Sequence, residues 1–219
     1  MRPDYLHIVT ILRISLAVAA LGALPLERWD MFGVALSALV ISILPDVIAA
    51  WMGIRLPWPF VAGIVVFVVA SLFLGEVFDF YERYWWWDLA LHTTSAIGFG
   101  LVGFVFIFAL FEGDRYAAPP WAIGFISMCL AMAIGVLWEI FEFTMDSLFG
   151  LNMQKSGLQD TMWDLIVGTF GAIIAGSAGA AYLKGRERGW LTGLIDQFVR
   201  LNERIYRKIR ARRRQDGGR

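Results

Sequence analysis

Apolar runs recur along this chain, each close to the length that crosses a lipid bilayer. The hydrocarbon core is about 30 Å thick, so a spanning helix needs about 20 mostly apolar residues. Such runs are read at residues 6–25, 31–54, 58–78, 87–111, 121–146 and 161–183. In lipid, the backbone amides of such a run must be satisfied internally, and runs of this length do so as helices. The expected fold is therefore all-α: a polytopic membrane bundle of about six transmembrane helices, followed by an amphipathic C-terminal helix. Composition agrees, with 58% hydrophobic and 17% charged residues, where soluble domains carry about 25% charge. Six spans joined by short loops use nearly all of the 219 residues, so no separate soluble domain is expected.

The joints are marked by residue type. Pro25, Pro57, Pro59, Pro119 and Pro120 fall between runs, where a missing amide donor costs least. Trp29, Trp85, Trp86, Trp87 and Trp163 gather at one membrane boundary and Trp51, Trp58, Trp121 and Trp190 at the other, as an aromatic belt would. The single Cys129 lies inside an apolar run, so no intrachain disulfide is expected. No small-residue cleavage site stands out near the N-terminus, and the first run reads as a retained anchor.

Net charge is zero, yet residues 184–219 hold twelve of the 19 basic residues and four of the 19 acidic ones. The domain organisation is thus a helix bundle over 1–183 and a basic tail over 184–219. In the short loops the bases divide evenly, with Arg2, Arg55 and Arg115 on one side and Arg28, Arg83 and Lys155 on the other. The tail breaks the tie, and the positive-inside rule then puts both termini in the cytoplasm. Leu191, Leu194, Ile195, Phe198, Leu201, Ile205 and Ile209 repeat at helical spacing among Arg200, Arg204, Arg207, Lys208 and Arg210. That pattern predicts an amphipathic cytoplasmic helix on the anionic inner leaflet, with membrane lipids rather than nucleic acid as partner. A solvated tail with incidental periodicity is the alternative.

Ionisable residues stand where the bilayer makes them costly. The fourth run opens WWWDLALHTTSAIGFG, with Asp88 and His92 at i,i+4 on one helix face. The fifth closes WEIFEFTMD, with Glu139, Glu142 and Asp146 on one stripe. The sixth opens DTMWDL, with Asp160 and Asp164 again at i,i+4. The alternating direction of the helices brings all seven to similar depth, in the outer third of the membrane, with Glu76 and Asp79 at that level too. Intramembrane ionisable groups usually face a bundle interior or a wet cavity. Carboxylates with one imidazole suit a divalent cation such as Mn²⁺, Fe²⁺, Zn²⁺ or Ca²⁺. The same set suits acid–base chemistry, with Asp88, His92, Glu139 and Asp164 as catalytic groups. Asp88, Asp146 and Asp160 also fit plain helix ends touching water. Thr93, Thr94 and Ser95 are expected to bond backbone carbonyls within their helix.

Two further features bear on packing. Arg13 and Asp46 lie at equal depth in the first two runs and are expected to form a structural ion pair. Gly168, Gly171, Ala172, Ala175, Gly176 and Gly179 form a small-residue face on the sixth run, and Ala96, Gly100 and Gly103 form one on the fourth. Such faces let helix backbones approach closely in lipid.

The stretches GEVFDFYERYWWWDLALHTTSAIGFG and WEIFEFTMDSLFGLNMQKSGLQDTMWDLIVGTFGA resemble the YjdF-like bacterial inner-membrane proteins, a family of unknown function, over roughly residues 70–180. The chain is more distantly similar to the VanZ-like proteins, one of which is associated with teicoplanin resistance. That likeness would map Asp88 and His92, Glu139 or Glu142, Gln154 and Asp164 onto their site. The VanZ-type arginine before the last Asp has no evident counterpart here. The resemblance implies a bacterial inner-membrane location and a site, but no established reaction. Three readings follow: an activity on a lipid or lipid-linked envelope substrate, cation or proton transport, and a structural accessory subunit among protein partners in a larger membrane complex. The inner half of the bundle is apolar apart from Arg13 and Asp46, which speaks against a transport path.

Overall fold

Each of the six expected spans is a helix in the computed structural model, which describes residues 4–111, 118–185 and 189–207. The described residues contain no strand. They fall into two compact units, Met1–Trp87 and Asp88–Arg219.

The first unit begins with α1 (Asp4–Ala23), closed by a single 3-10 turn at Leu24–Leu26. Next come α2 (Trp29–Met52) and α3 (Trp58–Val68). Gly53 ends α2 with φ of +66°, a left-handed turn whose amide bonds back to the last carbonyls. Leu16, Ala38 and Val68 make the buried centre, with Ile64, Phe67 and Phe73 packed around it. Large side chains such as Ile11, Val18 and Leu21 remain exposed along α1, as suits a surface whose solvent is hydrocarbon.

Pro45 lies inside α2 and has no amide to donate, which disturbs the carbonyls one turn earlier. The carbonyl left without that donor is Ile41 O; its neighbour Ser42 O accepts from the Arg13 guanidinium. The same guanidinium meets Asp46 at 2.5 Å, so the expected ion pair is present. Removing one partner leaves a charge stranded in lipid, whereas removing both does not. Asp46→Leu alone is therefore expected to destabilise the purified protein more than Arg13→Met with Asp46→Leu, read as the order of their unfolding temperatures.

The third span departs from a simple helix. Beyond Val68 it widens into a π-helical stretch, Val69–Val77, before the short α4 (Phe80–Arg83). The chain then folds back so that the Tyr81 ring lies on Gly75, where any side chain would collide with it. Asp79 makes that reversal with φ of +56°.

The second unit contains α5 (Trp87–Phe111) from Asp88 onward, α6 (Pro120–Phe149), α7 (Leu158–Leu183) and α8 (Trp190–Leu201). The small-residue faces do join these helices. A Cβ on Gly171 would strike the Thr93 carbonyl and Ala96 of α5, and one on Gly100 would strike Ala175 of α7. Gly124 and Gly176 press backbone on backbone between α6 and α7, and Gly179 receives the Phe104 ring. Gly168 differs from the expectation, since it faces open space.

The tail helix uses its apolar face on protein. Leu194 and Ile195 are buried with Leu101, Phe104, Ile107, Ile123 and Ala175, and Leu191 and Val199 pack beside them. After Leu201 a further helical turn covers 203–207, and Tyr206 is buried with its ring 5.4 Å from Phe108. Arg200 pairs with Asp196 at 2.7 Å, and Arg207 lies 3.8 Å from Glu203. The expected continuation through Lys208, Ile209 and Arg210, and the loop bases Arg2 and Arg115, lie outside the described residues.

Candidate metal centre

The site is assembled from the ends of three helices of the second unit. The first two turns of α5 present Asp88 and His92, with His92 Nε2 3.5 Å from Asp88 Oδ1. The carbonyls of this stretch occupy the hydroxyls that follow: Thr93 and Thr94 donate to Leu89 and Ala90, and Ser95 to His92. Those three residues are thus bound into the helix backbone, as expected.

Asp164 enters from α7. Its Oδ2 lies 3.9 Å from His92 Nε2, on the nitrogen that also faces Asp88. The Gly171 approach holds α7 against α5 two turns further along, so a larger residue there would push Asp164 away from His92. Glu139 enters from α6, with Oε1 3.7 Å from His92 Nδ1. Glu139 and Asp164 are only 5% and 3% exposed, yet none of their four carboxylate oxygens has a hydrogen-bond partner among the described residues. The Thr161 hydroxyl sits beside Glu139, but outside hydrogen-bonding geometry. Burying a carboxylate without partners is costly, so this pair needs a cation or a proton to be comfortable.

Asp88, His92 and Asp164 each offer one ligand atom, and these atoms lie within 4.8 Å of one another. Ligands bound at about 2.1 Å from one cation sit at most about 4.2 Å apart, so a small contraction would close the set on a metal.

The other expected ligands are placed differently. Glu142 is buried near Glu139 and Asp88, but its Oε1 accepts the Trp138 indole N–H at 2.9 Å. Asp146 uses its two oxygens on the backbone amides of Met153 and Gln154, at 2.8 and 2.9 Å. Asp160 accepts the Lys155 amide at 3.0 Å. Asp146 and Asp160 thus hold the loop between α6 and α7 from both sides, and the three ligand atoms within 4.8 Å of one another belong to Asp88, His92 and Asp164. Within that loop the Gln154 side-chain amide donates to Thr161 Oγ1 at 2.6 Å. Trp138 was not read as part of the site; its position four residues before Glu142, one helical turn, was the available signal. Glu76 and Asp79 belong to the first unit.

Comparison with known proteins gives a family and no activity. An uncharacterized protein of Thermotoga maritima is 33% identical over 98 residues, which are 45% of this chain and 50% of that protein. The chain thus spans about half the length of the curated relative it matches. No solved structure matches. A family model described as predicted membrane protein, DUF2238, matches residues 6–185, a stretch that contains the region of YjdF-like resemblance and every residue of the site. With all six candidate spans inside that match, the chain belongs to the DUF2238 family of predicted membrane proteins.

Proposed function

We propose that this protein binds a divalent cation through Asp88, His92 and Asp164 and uses it on a lipid or lipid-linked substrate of the bacterial envelope. The observation that carries the reading is the convergence of three ligand atoms within 4.8 Å, beside carboxylates that are buried and unpartnered. Two carboxylates with one imidazole suit Mn²⁺, Fe²⁺ or Zn²⁺ better than a purely oxygen-loving ion. Such a cation, when bound, polarises a phosphoryl or carbonyl oxygen and acidifies a coordinated water. Glu142, held in place by Trp138, is the nearby carboxylate available for proton transfer.

The substrate class follows from depth. The site residues lie in the first turns of α5 and α7 and the last turns of α6, near one end of three spanning helices. A molecule whose reactive group sits at headgroup level would meet them there. The twelve bases of residues 184–219 favour cytoplasmic termini in the bacterial inner membrane, which would turn the site toward the outer leaflet.

The test is metal content. Wild-type protein purified in detergent, loaded with Mn²⁺ and freed of excess, is expected to retain about one ion per chain, and His92→Ala none. Wild-type protein that retains no more manganese than His92→Ala would end the reading. Mass spectrometry of lipids incubated with the loaded protein in vesicles then reads the activity, and products that do not depend on the metal would count against its role in the reaction.

A further inference from the structure

We infer that Glu139 is a positioning residue that fixes the His92 ring through Nδ1, and is not itself a metal ligand. The inference rests on the cation reading just proposed. The two nitrogens of an imidazole point away from one another, so what they face lies on opposite sides of the ring. Nε2 faces both Asp88, at 3.5 Å, and Asp164, at 3.9 Å. Nδ1 faces Glu139 alone among these acids, at 3.7 Å. One cation is ligated by one nitrogen of a ring. The two acids on the Nε2 side complete a three-ligand set there, and Glu139 is left behind the ring.

That position has a known use in metal sites. A ligating histidine almost always donates its other N–H to a carboxylate, carbonyl or water, which sets the tautomer and the ring angle. Glu139 is suited to receive that proton. It is only 5% exposed, and both of its oxygens lack hydrogen-bond partners among the described residues. At 3.7 Å the pair is just beyond bonding distance, and a small side-chain rotation closes it. The far side of Glu139 has a polar neighbour as well. Thr161 lies beside it, and because Thr161 Oγ1 already accepts from Gln154, its own hydroxyl proton is left to donate. A chain of groups thus runs from the α6–α7 loop through Gln154, Thr161 and Glu139 to His92.

The experiment is a Co²⁺ titration of the full-length protein, because the visible bands of bound cobalt report the atoms that touch it. Glu139→Gln is expected to bind one Co²⁺ with wild-type band positions but 10–100-fold weaker affinity, while Asp164→Asn alters or loses the bands. Bands in Glu139→Gln that shift as they do in Asp164→Asn would make Glu139 a ligand and overturn the inference. Unchanged bands with unchanged affinity would overturn it too. A second measurement needs no variant: ¹⁵N spectra of the Zn²⁺-loaded wild type should find the His92 proton on Nδ1, and a proton on Nε2 would refute the assignment. If the wild type binds neither metal, the cation reading itself has failed, an outcome distinct from metal bound with Glu139 in its shell.

Discussion

Asp164→Asn should separate the two states of the site by reversing their order of stability. In the wild type, metal at 100 times its dissociation constant adds about 2.7 kcal/mol. For a chain of this size that raises the unfolding temperature by roughly 5–10 °C. Asp164 is 3% exposed, and neither of its oxygens has a hydrogen-bond partner among the described residues. Asparagine keeps the shape and removes the charge, so without metal the variant should equal or exceed the wild type. With metal it should gain nothing. Thermal unfolding in detergent, with and without Mn²⁺, reads all four values. A metal-induced rise of wild-type size in the variant would remove Asp164 from the ligand set. A variant clearly weaker than the wild type in both conditions would mean that the carboxylate is structural.

The second large effect is expected at a residue that carries no charge. Gly171→Leu places a side chain against the Thr93 carbonyl and Ala96, backbone and short side chain that cannot swing aside. Overpacking of this kind costs about 1–3 kcal/mol or more, which corresponds to a fall of roughly 2–12 °C in unfolding temperature. Because Gly171 sets the distance between α5 and α7, bound metal should be lost along with stability. Gly168→Leu is the control. It lies three residues away on the same helix but faces open space, and it should behave nearly as wild type. Equal behaviour of the two variants, by thermal unfolding and manganese content, would show that this crossing does not govern the site.

These two glycines also show where the sequence stops being informative. Spacing puts Gly168 and Gly171 on one broad helical face, but only the partner helix decides which of them is covered. The same holds for the tail. The repeat of Leu191, Leu194 and Ile195 announces an apolar face and is silent on whether lipid or protein meets it; in the structure Phe104 and Ile107 do. The spans, the pairing of Arg13 with Asp46 and the shared face of Asp88 and His92 were legible, because run length and a period of one turn fix them. The meeting of His92 with Glu139 and Asp164 was legible only as common depth, since depth constrains height along the helices and not rotation about them. The use of Asp146 and Asp160 on loop amides was hidden for another reason: a carboxylate at a helix end looks alike whether it awaits a cation or holds a turn. The π-helical stretch at Val69–Val77 left no mark in the hydrophobic pattern.

Asp146 and Gln154 give the α6–α7 connection a role that its length alone would not suggest. The carboxylate of one clamps the backbone of the other, whose amide reaches Thr161 beside Glu139. The surface turn and the membrane-embedded imidazole are thus separated by only three side chains, Gln154, Thr161 and Glu139, so a change in the turn has a short route to the site.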